Sequence, residues 1–124
     1  MTPLVLIIDD DPAMRLLMAK LVESSGYRTI VAEGGDQGLE AFTCNAPNLV
    51  VTDLSMPQGE GGTLITEIRR RAPSAKILAV SGALVTSEMG EDVQDLPDGL
   101  AVDAMLSKPF RAREFCLLID RLLA

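Results

Sequence analysis

The sequence predicts an α/β protein, a doubly wound five-stranded parallel sheet with five helices. Two observations support this fold class: short apolar runs rich in Val and Ile alternate with longer segments of helical period, and turn-forming residues separate them. Strict alternation favours a parallel sheet with helices on both faces, and right-handed crossovers leave few topologies open. The 124 residues, 48% of them apolar, suit a single domain over positions 1–124.

Five short apolar runs are the predicted strands. Runs of this length, bounded by turn signals, are typical of strands buried between two layers of helices. In chain order they are Leu4–Ile8, Tyr27–Ala32, Leu49–Thr52, Lys76–Val80 and Ala104–Leu106.

Helical periodicity fills the segments between these strands. Asp11 suits an N-cap, Pro12 the first helical position and Gly26 the end of that helix. Its apolar stripe is Met14, Leu17, Met18, Leu21 and Val22. The later predicted helices are one from about Asp36 to Cys44 with Leu39 and Phe42 inward, one with Leu64, Ile65 and Ile68 that ends before Pro73, one around Thr86–Leu96, and one over Arg111–Leu123.

The charge and the cysteines exclude several classes of function. A net charge of −7 argues against unaided binding to nucleic acid or an anionic membrane, and the basic run Arg69–Arg71 is too short to change this. Cys44 and Cys116 lie in apolar helical patterns, which predicts reduced core residues. Without histidine, a zinc site is not expected. No stretch reaches membrane-spanning length and Met1–Pro3 lacks a signal peptide's basic start, so we expect a cytoplasmic domain.

Polar residues stand at the carboxyl ends of four predicted strands. Asp9 and Asp10 follow the first strand, Asp53 the third, Ser81 the fourth and Lys108 the fifth. In a doubly wound sheet these ends meet at one crevice, where ligands bind. Two carboxylates at ~5 Å repel by about 3 kcal/mol at an effective dielectric of ~20. Mg²⁺, which favours carboxylates, water and phosphate oxygens, would resolve that conflict.

The same residue types suit phosphoryl chemistry. Lysine offers positive charge and serine a hydroxyl donor for phosphoryl oxygens, and a carboxylate can accept the phosphoryl group as an acyl phosphate. Each residue alone has an ordinary explanation as a cap, a turn or a solvated loop residue. Together those explanations need independent coincidences at four strand ends, so the functional interpretation is favoured.

These motifs together resemble the receiver domain of two-component response regulators, over essentially the whole chain. The resemblance rests on LVLIIDDDPAMR, LVVTDLSMPQGEGGTLI, LAVSG and LSKPF, in the expected order. It implies a flavodoxin-like receiver fold with strand order 2-1-3-4-5. It also implies phosphorelay signal transduction, in which Asp53 takes a phosphoryl group from a phosphohistidine on a sensor histidine kinase or phosphotransfer protein.

The resemblance also assigns the metal site. Asp9 and Asp10 match the acidic pair that holds Mg²⁺, together with Asp53 and the backbone carbonyl of Ser55. We expect Asp10 to be the direct ligand and Asp9 to act largely through water. Asp11, beside Pro12, is instead expected to cap the first helix, where orphan amides favour negative charge.

Two further residues take roles from the family motif. Ser81 matches the switch hydroxyl that bonds the phosphoryl oxygens, and Lys108 matches the lysine that pairs with Asp53 before transfer and with the phosphoryl group after it. Pro109 matches a proline whose preceding bond is often cis. Such a domain is not an enzyme in the usual sense, because it assists only its own aspartyl phosphorylation and dephosphorylation.

The implied output is a switched surface. In this family it usually involves the fourth helix, the fifth strand and the fifth helix, and it acts on a downstream partner or a fused output domain. The resemblance leaves dimerisation on phosphorylation open. Two departures bear on switching: Met105 stands where the family commonly has Tyr or Phe, and the segment Ala83–Val102 is longer than usual, which predicts a short or distorted fourth helix.

Two alternatives remain open. A haloacid-dehalogenase-type phosphatase also begins with a strand and Asp-x-Asp, here Asp9 and Asp11, but Pro12 replaces the expected Thr or Val and only a helix follows Lys108. A receiver-like scaffold that is never phosphorylated would tolerate Met105. Turnover of a phosphomonoester would favour the first, and failure of every phosphoryl donor the second.

Overall fold

The computed structural model describes residues 2–57, 60–82 and 101–124. Strands and helices alternate along these ranges. The strands are β1 (Leu4–Ile8), β2 (Arg28–Ala32), β3 (Leu49–Asp53), β4 (Ile77–Ser81) and β5 (Ala104–Ser107). The helices are α1 (Pro12–Ser24), α2 (Gly35–Asn45), α3 (Glu60–Arg71) and α4 (Ala112–Leu123).

The five strands form one parallel sheet in the order β2-β1-β3-β4-β5, which confirms the predicted fold class. In its register, Ile8 lies opposite Thr52, and Asp53 lies opposite Val80. The carboxyl ends of β1, β3 and β4 therefore lie side by side at one edge of the sheet.

Apolar cores fill both faces of the sheet, because side chains alternate along each strand. One face carries α1 and α4, whose buried residues Val22 and Phe115 pack against Val5 and Ile7 of β1. The other carries α3 and part of α2 over the alternate strand residues; its α3 members are Leu64, Ile65 and Ile68. The three central strands are covered on both sides, which explains their continuous apolar runs.

The predicted end signals of α1 are confirmed. The Asp11 side chain accepts a hydrogen bond from the Ala13 amide at 3.0 Å, and Pro12 begins the helix. Gly26 has a φ of +96°, in the left-handed region that favours glycine, just after the helix ends.

Two predicted core positions are wrong. Cys44 is exposed, because it lies two residues beyond the inward Phe42 and two residues turn a helix by about 200°. Leu17 is 45% exposed, since it lies just outside the buried stripe of Met18, Ala19 and Val22. Cys116 is half-buried and packs against the core next to α1.

The other differences from the predicted elements are small. Strands β2 and β4 each begin one residue later than expected, and the β3 and β4 strands include Asp53 and Ser81 as their last residues. The helix predicted around Thr86–Leu96 lies outside the described residues, so four of the five predicted helices are described. Among the helices of the described ranges, none has the length and apolar character needed to cross a bilayer.

Candidate functional site

Three carboxylates meet where β1 and β3 end. Oxygen atoms of Asp9, Asp10 and Asp53 all lie within 4.8 Å of one another. Asp9 and Asp53 are buried, with 0% and 3% exposure, whereas Asp10 faces solvent. The sheet register produces this cluster, because β1 and β3 are neighbours, Asp9 directly follows β1 and Asp53 is the last residue of β3.

Asp9 is fixed by contacts on every side. Its Oδ1 accepts a hydrogen bond from the Asp11 amide at 2.9 Å, and its Oδ2 accepts one from Lys108 Nζ at 3.2 Å. Its backbone carbonyl accepts a bond from the Arg15 guanidinium at 2.8 Å, and its amide donates to the Ala32 carbonyl at 3.2 Å. These contacts fix the orientation of the Asp9 carboxylate.

Asp53 lies between a cation and a backbone donor. Its Oδ2 is 3.4 Å from Lys108 Nζ, and its Oδ1 accepts a hydrogen bond from the Ser55 amide at 2.9 Å. The Leu54 amide, next along the chain, donates to the Val80 carbonyl at 2.8 Å. The Asp53 carboxylate is thus held at the edge of the sheet with one oxygen toward Lys108 and one toward the loop after β3.

Lys108 bridges the two buried acids. Its backbone amide donates to the Ser81 carbonyl at 2.9 Å, which fixes the start of the side chain, and the bond from Lys108 to Pro109 is cis. Burial alone would lower the pKa of Lys108, but the charges of Asp53 and Asp9 and their hydrogen bonds outweigh it and raise that pKa above its ordinary value. Lys108 is therefore positively charged at neutral pH.

The pKa of Asp9 is also raised from its ordinary value. Burial is the largest cause, and repulsion from Asp53 adds to it. The Asp11 amide and the positive charge of Lys108 act in the opposite direction. A further positive charge in the cluster would favour the ionised form of Asp9.

Ser81, at the end of β4, and Ser55, in the loop after β3, also lie at this site. Ser81 ends β4, is 3% exposed and lies one residue beyond Val80, the register partner of Asp53. The Ser55 Oγ accepts a hydrogen bond from the Gly82 amide at 3.2 Å. The structure therefore brings every predicted site residue to the same edge of the sheet.

Three contributions to the site were not predicted from the sequence. They are the Arg15 bond to the Asp9 carbonyl, the Ser55–Gly82 bond, and the close approach of Gly61, at the start of α3, to the backbone of Asp53 and Leu54. The sequence offers one partial signal, the paired glycines Gly61 and Gly62 at a helix start. The other contacts depend on side-chain reach between loops, which spacing alone does not give.

Comparison with known proteins identifies the family. Residues 5–120 match the model of the response regulator receiver domain, so the chain belongs to that family. It is 30% identical over 122 residues to the chemotaxis protein CheY of Bacillus subtilis, covering 96% of each chain. The family is the one that the four motifs predicted.

Other relatives carry a similar domain within longer proteins. The chain is 29% identical to the DNA-binding transcriptional regulator NtrC of Klebsiella pneumoniae and 32% identical to the autoinducer 1 sensor kinase/phosphatase LuxN of Vibrio harveyi. The matches cover 93% and 87% of this chain, but 24% and 12% of those relatives.

Solved structures agree with the fold. A CheY-like receiver domain protein from Methanospirillum hungatei superposes with a TM-score of 0.85 at 25% identity, covering 99% of this chain and 94% of that one. The receiver domain of NtrX from Brucella abortus gives 0.78 at 26% identity, covering 96% and 97%. Receiver domains generally bind Mg²⁺ at an acidic pocket, and the Asp9, Asp10 and Asp53 cluster is of that kind.

Proposed function

We propose that residues 1–124 act as one phosphoacceptor domain of a two-component phosphorelay, with Asp53 as the acceptor. The observation that carries the proposal is the position of the Asp53 carboxylate, which is 3.4 Å from Lys108 Nζ and beside the carboxylates of Asp9 and Asp10. A structural aspartate would not need a lysine and two further carboxylates beside it. A phosphoryl group on Asp53 would need the lysine, and a cation held by the carboxylates, to neutralise its negative oxygens.

The reaction that fits this site is transfer from a phosphohistidine. An Asp53 oxygen attacks phosphorus, the P–N bond to the imidazole breaks with its electron pair going to nitrogen, and an O–P bond forms to give an acyl phosphate. The freed imidazole then takes up a proton. Lys108 supports the transfer by neutralising charge on the phosphoryl oxygens, and Ser81 offers a hydroxyl to them at the end of β4.

The donor set suits magnesium. Two or three carboxylates with room for water are the ligands that Mg²⁺ takes, and soft or nitrogen ligands are lacking in the cluster of Asp9, Asp10 and Asp53. We assign Asp10, which faces solvent, as the direct carboxylate ligand beside Asp53, with the Ser55 carbonyl completing the protein ligands and Asp9 acting largely through water. When bound, the ion supplies positive charge to the phosphoryl oxygens.

The proposal extends to partners. The phosphoryl donor would be a sensor histidine kinase or a phosphotransfer protein, and the output a downstream partner or a fused domain, as in the longer relatives. The domain would catalyse only its own phosphorylation and dephosphorylation. We place it in the cytoplasm, in keeping with two free cysteines.

Intact-mass measurement tests the acceptor. After incubation with acetyl phosphate and Mg²⁺, the protein should gain one phosphoryl group, and Asp53→Asn should gain none. Asp36→Asn, at an exposed position in α2, is the matched control and should be modified like the parent. Modification of Asp53→Asn at the parent's rate would refute the assignment.

The same assay separates the alternatives. No modification from acetyl phosphate or from phosphohistidine donors would indicate a receiver-like scaffold. Steady turnover of a phosphomonoester would indicate a phosphatase. Against the phosphatase, Asp11 caps α1 rather than joining the acidic cluster.

A further inference from the structure

Arg15 holds the peptide group that joins two of the clustered acids. Its Nη1 donates to the Asp9 backbone carbonyl at 2.8 Å, and that carbonyl belongs to the peptide between Asp9 and Asp10. Within the described ranges, this partly buried bond is the one hydrogen bond that the Arg15 guanidinium makes. The contact therefore sets the plane of the peptide that leads from the buried acid to the exposed one.

The Asp9 carbonyl takes a side-chain donor because the ladder between β1 and β2 ends beside it. The Asp9 amide donates to the Ala32 carbonyl at 3.2 Å, and Ala32 is the last residue of β2. A buried carbonyl without a donor is costly, and the guanidinium of Arg15 supplies a charge-assisted hydrogen bond. The peptide after Asp9 is thus oriented by α1 instead of by the sheet.

Arg15 also lies at an electrostatically unfavourable position of its own helix. It is the fourth residue of α1, and no acid occupies the first turn of that helix. A cation at this end opposes the helix dipole, which favours negative charge there. The reason for an arginine at this position therefore lies in its contact with Asp9, and not in the stability of α1 alone.

We propose that Arg15 is a positioning residue for the magnesium site: it orients the peptide between Asp9 and Asp10, so that both carboxylates face the cluster before the ion binds. The proposal rests on the metal-binding role proposed above for these two acids. A ligand binds more weakly when only a fraction of the protein has the competent conformation, in proportion to that fraction. Arg15 raises the fraction by holding the peptide in one orientation.

The charge of Arg15 and its positioning role predict opposite changes in magnesium affinity. A nearby cation repels Mg²⁺, so removal of the charge alone would strengthen binding. Removal of a group that orients metal ligands typically weakens binding by roughly 10- to 100-fold. We expect the loss of orientation to exceed the relief of repulsion and to leave a net weakening of roughly threefold to tenfold.

Magnesium titration followed by NMR tests this in the folded protein, at constant ionic strength. Arg15→Met keeps an unbranched side chain but removes the donors and the charge, and its Kd for Mg²⁺ should be roughly threefold to tenfold higher than that of the parent. Arg15→Lys, which retains a charged donor, should bind within about twofold of the parent.

Arg28→Met is the matched control for the titration. The Arg28 guanidinium also donates to a backbone carbonyl, that of Thr2 at 2.9 Å, but Arg28 begins β2, at the end of that strand away from the acids. Its loss removes the same charge and should change the Kd by no more than about twofold. Unchanged or tighter binding in Arg15→Met would overturn the proposal and leave the magnesium site standing. If the parent binds no Mg²⁺, the proposed metal site fails, and the role of Arg15 fails with it.

A second measurement, without Mg²⁺, separates positioning from a general loss of stability. The Asp11 amide donates to Asp9 Oδ1 at 2.9 Å, so the exchange of that N–H with solvent reports whether the turn between the acids is held. Exchange should be roughly threefold to tenfold faster in Arg15→Met than in the parent, and unchanged in Arg28→Met. A weaker Kd for Mg²⁺ with unchanged Asp11 exchange would overturn the positioning role.

Discussion

Gly61 packs directly against the backbone that carries Asp53. A Cβ added at Gly61 would overlap the Asp53 carbonyl oxygen and stand 2.9 Å from the Leu54 Cα. Both neighbours are backbone, so neither can rotate aside. The start of α3 thus rests on the end of β3, and the position of Asp53 depends on the absence of a side chain at Gly61.

Gly61→Ala should therefore displace the end of β3. Alanine ordinarily favours a helix over glycine by about 1 kcal/mol, but overpacking at this contact should cost about 1–3 kcal/mol, so the free energy of unfolding should fall. Denaturant unfolding measures this, and intact mass should show slower phosphorylation. Gly62→Ala, at the next helical position, is the control. Equal stability of the two variants would show that the backbone of Asp53 and Leu54 shifts at little cost to admit the added methyl group.

Lys108→Ala should slow phosphorylation of Asp53 by about 100-fold, because the variant removes a charge that the transferred group would meet in the transition state. The rate of mass gain with acetyl phosphate and Mg²⁺ measures this. Lys76→Ala removes a lysine whose Nζ bonds the Leu122 carbonyl, away from the acids, and should react like the parent. A Lys108→Ala variant that reacts as fast as Lys76→Ala would exclude a role for Lys108 in transfer.

Magnesium should stabilise the folded protein through the acidic cluster. At a free concentration of about 100 times its Kd, a ligand that binds only the folded state adds about 2.7 kcal/mol, so the melting temperature should rise by several degrees. Asp10→Asn should lose most of this gain. Without Mg²⁺, the same variant should be slightly more stable than the parent, by less than about 1 kcal/mol, because it relieves repulsion at an exposed position.

Sodium chloride at matched ionic strength is the control for that experiment. Sodium chloride screens exposed charges, and this effect does not require a specific binding site. An equal rise in melting temperature with sodium, or an undiminished magnesium effect in Asp10→Asn, would argue against Asp10 as a ligand.

Tyr27 should titrate above its ordinary pKa of 10.0. Its hydroxyl donates to Asp120 Oδ1 at 2.7 Å, and that bond, with the carboxylate's charge, favours the protonated phenol. The chain has one Tyr and no Trp, so absorbance of the phenolate reports this residue alone. Asp120→Ala should lower the midpoint toward 10.0, and Asp36→Ala should not.

The sign of the linked stability follows from that shift. A phenol whose pKa is raised by folding stabilises the folded state below its unfolded pKa, and the contribution disappears as pH rises through the folded value. Asp120→Ala should therefore lower the free energy of unfolding at neutral pH, and the difference from the parent should disappear in strong alkali. A Tyr27 midpoint that is the same in the parent and in Asp120→Ala would contradict the assignment.

The sequence was sufficient to predict the sheet and the meeting of the predicted polar residues at one edge of it. Strands β1, β3 and β4 are covered on both faces, so their apolar runs are continuous and their ends, at Asp9, Asp53 and Ser81, stand out. Parallel topology then brings those ends together. The core assignment of Cys44 failed because a short amphipathic helix allows more than one choice of inward face at its last turn.

The finer geometry of the site could not be predicted in the same way. The contact at Gly61 depends on how deeply α3 docks, and the Ser55–Gly82 bond depends on the path of two loops. Neither the docking depth of α3 nor the path of the loops is reflected in the periodicity of apolar residues along the sequence. The difference in burial between Asp9 and Asp10 could not be predicted either, because two adjacent aspartates are equivalent in sequence and only the folded structure buries one of them.

The ion pair between Lys108 and Asp9 joins residues 99 positions apart. A ribosome therefore synthesises the acids long before the lysine that faces them, and a nascent chain ending before β5 has Asp9 and Asp53 without Lys108. Readiness to accept a phosphoryl group should accordingly coincide with completion of the domain. Under the proposed function, truncated copies that lack Lys108 should accept a phosphoryl group much more slowly than intact ones.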